Sequence, residues 1–188
     1  MNPILVIISI NIGVFIAVQI SPDLVSNLGL YSSMDFFLER PWGVVTSMFV
    51  HQEFFHLFAN MITLYFFGSF LNRLVGSRRL LLVYFGGGII GSFFFLLLAP
   101  PALAIGASGA VFALGGALVV MAPRLRVIIF PIPAPVPLWV AIIGIVVILT
   151  LLPMLNPFSN IAWQAHLGGF ILGLIAGCVF RGRGRYYV

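Results

Sequence analysis

The sequence predicts an all-α, polytopic membrane protein, a bundle of six transmembrane helices, and three observations carry that prediction. Of its 188 residues, 62% are hydrophobic and 7% charged, with a mean hydropathy of +1.19, too little polar surface to clothe a water-soluble domain. Charge-free apolar runs, close to the roughly 20 residues a helix needs to cross about 30 Å of hydrocarbon, recur along the chain. The runs are continuous rather than alternating, which argues for helices over a barrel of strands.

Six such runs are expected as spans, at about 3–20, 54–72, 80–100, 104–122, 136–153 and 161–180. They fill one domain over 1–188 and leave no room for a separate soluble one. The first run lacks preceding basic residues and a small-x-small cleavage pattern before Pro22, so it reads as a retained span, not a removed signal peptide. The connection from Ser21 to Glu53 mixes acids, aromatics, Pro22 and Pro41, a composition suited to short interfacial helices. In span three, Gly86, Gly87, Gly88 and Gly91 allow close helix approach, as do Gly169, Gly173 and Gly177 in span six. The alternating prolines of 130–137 favour an extended turn into span five. Cys178, the one cysteine, excludes an internal disulfide and a thiolate metal cluster, and reads as a small apolar filler. No repeat marks two transporter halves.

The pI of about 10.2 reflects topology rather than a nucleic-acid partner. Every basic residue is Arg: Arg73, Arg78 and Arg79 follow span two, Arg124 and Arg126 follow span four, and Arg181, Arg183 and Arg185 follow span six. The four acids, Asp23, Asp35, Glu39 and Glu53, lie with Arg40 between spans one and two. The positive-inside rule therefore places both termini in the cytoplasm of a multi-pass cell-membrane protein.

Four polar residues interrupt the apolar runs at a cost in free energy unless they are partnered, which makes them candidates for function. His56 and Asn60 are four apart and share one face of span two. Ser108 opens span four within Gly106-Ala-Ser-Gly109, and His166 opens span six. All three spans begin on the outer side, so three helices bring polar groups to one depth. That set suits acyl transfer. His166 has the basicity to take the Ser108 proton. Donors for the negative oxygen that forms on attack are the Ser108 amide at a helix start, His56 and Asn60. Gly106 and Gly109 would let a substrate backbone approach. Spans two to six hold no acid beyond Glu53 at the mouth, so a dyad is implied, its His166 oriented by packing on Phe112, one helical turn after Ser108.

Taken singly, each residue has a plainer reading as a packing or hydrogen-bonding device, and only the coincidence of depth raises the set above it. Zinc is disfavoured: His51 and His56 are five apart, roughly 140° around a helix, where a zinc pair needs four. A transporter or channel is disfavoured by the absence of acids from the core spans.

These residues resemble the rhomboid family of intramembrane serine proteases. The resemblance runs from Trp42-Gly-Val-Val-Thr-Ser-Met-Phe-Val-His51 through His56-x-x-x-Asn60 and Gly106-Ala-Ser-Gly109 to Ala165-His166-x-x-Gly169. It implies a rhomboid-like six-helix bundle and a water-filled cavity open to the outside. Ser108 would be the nucleophile, His166 the general base and acid, and His56, Asn60 and the Ser108 amide the oxyanion site. It further implies transmembrane protein substrates in the lipid bilayer, no cofactor and no metal, with span five and the loop near Pro153–Asn160 as gate and cap. Such substrates would carry helix-weakening residues near the cut and a small residue before it. Two positions depart from the family: Gly43 follows Trp42 where many members have Arg, and Asn72 stands where an acid is common. A catalytically silent rhomboid-like client binder is the alternative, and the presence of both Ser108 and His166 counts against it.

Overall fold

A computed structural model describes residues 2–128, 134–156 and 160–181. Four of its helices are long and apolar enough to cross a bilayer: α1 (Pro3–Ile20), α5 (Phe54–Val75), α6 (Ser77–Leu98) and α10 (Trp163–Arg181). Two shorter apolar segments join them: α7 (Ser108–Met121), and α8 (Leu138–Val146), which runs through one wide π turn (Val147–Leu151) into α9 (Leu152–Met154). The protein is thus a polytopic helical membrane bundle.

At 14 residues α7 is about 21 Å long at 1.5 Å per residue, too short to reach both faces of the hydrocarbon layer. It is not required to, because α7 is the buried centre of the bundle. Ala110, Ala113, Leu114 and Ala117 are wholly inaccessible, and α10 and α6 pack along it. Small residues make the seam with α10. A Cβ on Gly169 or Gly173 would collide with the main chain of Gly109 or Ala113, so the two backbones are nearly in contact. Leu64, Leu71, Tyr84 and Leu118 close the core around this axis. Cys178, expected as a filler, is instead exposed on α10.

The long first connection holds three short helices, α2 (Asp23–Leu28), α3 (Met34–Glu39) and α4 (Gly43–Thr46), and a strand β1 (Leu30–Tyr31). The strand pairs antiparallel with β2 (Leu103–Ala104), just ahead of α7. The helix of the fourth apolar run therefore starts at Ser108, because Leu103 and Ala104 complete a two-stranded ladder. Arg40 Nη1 donates to Ser26 O at 3.0 Å and Trp42 Nε1 to Asn27 O at 2.8 Å. Gly43 lies so close to Gly29 that an added Cβ would stand 2.8 Å from its carbonyl oxygen. The departure at Gly43 thus lets two loop segments touch, while Arg40 and Trp42 anchor them. Asn72 accepts a hydrogen bond from the Ser77 hydroxyl at 3.1 Å across the turn at Gly76, whose φ is +80°.

Beyond α7, β3 (Arg126–Val127) pairs antiparallel with β4 (Val136–Pro137), so the end of the proline run is extended. Residues 130–133 of that run, 157–159 of the loop near Pro153–Asn160, and Arg183 and Arg185 lie outside the described residues. Arg79 stacks over the Phe180 ring at 5.3 Å, and Arg181 Nη1 donates to Val120 O at 3.4 Å. The start of α6 and the ends of α7 and α10 meet at one basic pole.

Candidate functional site

At the opposite pole, α5, α7, α8 and α10 enclose a cleft of about 650 Å³ whose lining includes His56, Asn60, Ser108, Phe112, Leu149 and His166. Ser108 is the first residue of α7 and half-buried, while His166 sits one turn into α10 and is buried. Their side chains meet, with Ser108 Oγ 2.8 Å from His166 Nε2. The other ring nitrogen, Nδ1, stands 2.7 Å from the Leu149 main-chain oxygen. A carbonyl can only accept, so Nδ1 carries a proton, and in the neutral ring Nε2 is then the bare nitrogen facing the hydroxyl. Phe112 lies parallel to His166, centroids 4.4 Å apart and planes within 3°. Packing is therefore only part of what orients the imidazole: a backbone acceptor on the wide turn after α8 completes it.

The segment before Ser108 is pinned from one side. Gly106 N–H donates to Ser47 O at 2.9 Å, and Ala107 N–H to His51 Nε2 at 3.4 Å. His51 is fully buried, and burial, with His56 next to it, holds its pKa down at about 3 against an opposing contribution from the Phe49 carbonyl. It therefore stays neutral, as an acceptor for Ala107 requires. In the sequence His51 figures in a failed zinc spacing and at the end of the Trp42–His51 stretch, with no role of its own; the sign of one is an imidazole within an apolar loop. Among the described residues, no group of three or more His, Cys, Asp or Glu is placed to hold a metal ion.

His56 and His51 stack edge to face, 4.8 Å between centroids. His56 also explains Gly106. That residue has φ +115°, and a Cβ there would lie 2.6 Å from His56 Nε2. The space at Gly106 is taken by the His56 ring, and that at Gly109 by the Ala165 carbonyl, 3.2 Å from a notional Cβ. Neither glycine leaves the gap for a substrate backbone expected of it; both let elements of the chain itself converge. Asn60 is buried and donates one amide hydrogen to His56 O at 2.9 Å, which holds its side chain against α5. Its second N–H remains.

Fold and site together define a multi-pass helical membrane protein in which a serine hydroxyl, an imidazole and several N–H donors share one cleft. Comparison with known proteins agrees. The Rhomboid domain family matches residues 38–183. Rhomboid protein 1, mitochondrial, of Saccharomyces cerevisiae is 30% identical over 143 residues, 72% of this chain and 40% of that protein. RHOMBOID-like protein 1 of Arabidopsis thaliana is 34% identical over 145 residues, 77% of this chain and 36% of that protein. The Bacillus subtilis protein provisionally named rhomboid protease YdcA is 33% identical over 150 residues, 77% of this chain and 71% of that protein. The match thus spans well under half of the yeast and Arabidopsis proteins. The chain belongs to the rhomboid family, which includes intramembrane serine proteases.

Proposed function

We propose that this protein is an intramembrane serine endopeptidase, hydrolysing peptide bonds in or near the transmembrane segments of membrane-protein substrates. The observation that carries the reading is the 2.8 Å approach of Ser108 Oγ to His166 Nε2, between two helices and inside a cleft. His166 takes the hydroxyl proton as Ser108 attacks the scissile carbonyl. The negative oxygen that develops is met by the Ser108 amide, free in the first turn of α7, with His56 and the second N–H of Asn60 adding donors. His166 then protonates the leaving amine, and water drawn through the cleft repeats the cycle on the acyl-enzyme. No cofactor or metal enters these steps.

The six apolar helical segments are read as six crossings of one domain, with both termini cytoplasmic and the cleft opening to the external side. The common basic pole supports that orientation. A substrate helix keeps its amides in internal hydrogen bonds and must unwind locally before attack, which favours helix-weakening residues near the cut. The test is cleavage of a single-span substrate in liposomes. Wild-type protein releases two fragments, and Ser108→Ala and His166→Ala release none while still unfolding cooperatively on heating. A wild-type protein that binds such helices without cutting them is instead a client-binding member of the family.

A further inference from the structure

We infer that Pro153 is a positioning residue for the dyad, acting through the main-chain carbonyl of Leu149; the inference rests on the protease reading of the same site. In an α-helix the Leu149 oxygen would accept from the N–H four residues on, at position 153. Proline has no N–H there, and the chain passes position 149 in a wide i→i+5 turn. The carbonyl is thereby released from that bond, and it is the one that His166 Nδ1 meets at 2.7 Å. Pro153 is buried, and Leu149 lines the cleft together with Ile142, Ile145 and Val146 of α8.

Two consequences follow. The neutral ring has a single proton, and an acceptor at Nδ1 keeps it off Nε2, leaving that nitrogen bare to receive the serine proton. The acceptor also belongs to the wall of the cleft rather than to the helices that carry Ser108 and His166. A substrate that pushes α8 aside loosens the base, and one that seats with α8 in place keeps it aligned. Where a side-chain carboxylate is absent, a helix carbonyl vacated by proline takes its orienting part.

The test uses the full chain in liposomes. Pro153→Ala supplies an N–H at 153 that competes for the Leu149 carbonyl. It should lower kcat at least about tenfold, as expected for loss of alignment, with KM within about twofold. ¹⁵N spectra of histidine-labelled protein should show His166 protonated at Nδ1 in the wild type and a loss of that tautomer in the variant, a change that a role confined to the folding of α9 would not produce. A second variant avoids changing the proline. Thr150 Oγ1 is buried without a partner among the described residues, so Thr150→Val is benign. Incorporating the α-hydroxy analogue of valine at 150 then turns the Leu149 carbonyl into a weaker ester acceptor, and should reproduce the kcat and tautomer changes even if Pro153→Ala misfolds. Wild-type kcat and tautomer in both variants, with Ser108→Ala and His166→Ala inactive, overturn this inference alone. An active Ser108→Ala overturns the protease reading and this inference with it.

Discussion

Gly106→Ala isolates the oxyanion side of the site without touching Ser108 or His166. The added methyl would sit 2.6 Å from His56 Nε2 and 2.7 Å from Cε1, where ordinary contact begins at 3.4 Å, so the ring must retreat by about 0.8 Å. Gly106 cannot give way instead, since its N–H is held by Ser47 O at 2.9 Å. An L-residue at φ +115° adds strain of about 1–3 kcal/mol, which appears as lost stability. A donor displaced by nearly 1 Å costs on the order of 10²-fold in rate, close to the 10²–10³-fold lost with a whole oxyanion donor. Initial rates on a reconstituted single-span substrate should therefore show kcat lower by about two decades, with KM little changed. Gly109→Ala is the contrast. Its methyl would meet the Ala165 carbonyl at 3.2 Å, a conflict of tenths of an ångström, and most activity should survive. A Gly106→Ala enzyme within threefold of wild type would show that His56 does not serve the developing oxyanion.

His51→Ala leaves the buried Ala107 N–H without its acceptor and should destabilise the protein by about 1–3 kcal/mol, with His51→Gln recovering part of that, by denaturant unfolding in detergent. The same residue sets an acid limit. Its folded pKa, about 3, lies below the ordinary 6.5, so the unfolded chain binds the extra proton between those values. Stability is full above pH 6.5 and falls as pH drops towards 3, by up to about 1.4 kcal/mol per pH unit, a slope that His51→Gln flattens. His56 is the titratable neighbour that shares this environment, so a His51→Gln curve as steep as wild type would move the effect to it. Phe112→Leu removes the ring beneath His166, worth about 0.5–1.5 kcal/mol, and should lower kcat by roughly two- to tenfold without changing the position of the cut.

Much of this arrangement is legible in the residues because a bilayer punishes polarity. His56, Asn60, Ser108 and His166 stood out against apolar runs, and helix direction alone sets them at one depth. All four line one cleft. The apolar runs became helices because each can satisfy its own backbone in lipid. Their ends differ for local reasons: Arg78 and Arg79 belong to α6 although charged, since a helix may run on past the apolar layer, and residues 103–104 pair with 30–31 instead of opening α7.

Harder to read were contacts made by main chain. The acceptor for His166 is the Leu149 carbonyl, which every residue type possesses, so nothing at position 149 advertises it; Pro153, four residues on, is the only trace. His51 was hidden by its partner, a backbone amide 56 positions away. Gly106 and Gly109 invited a reading as open space because a missing side chain looks the same in sequence whether a substrate or the chain fills it.

The claim on which the rest depends is that Ser108 is an activated nucleophile. A fluorophosphonate probe, followed by peptide mass spectrometry, measures this without any knowledge of the substrate. The account predicts a phosphonyl adduct on Ser108 of the wild-type protein in liposomes and none in folded His166→Ala. Absence of that adduct, or equal labelling when His166 is removed, would contradict it.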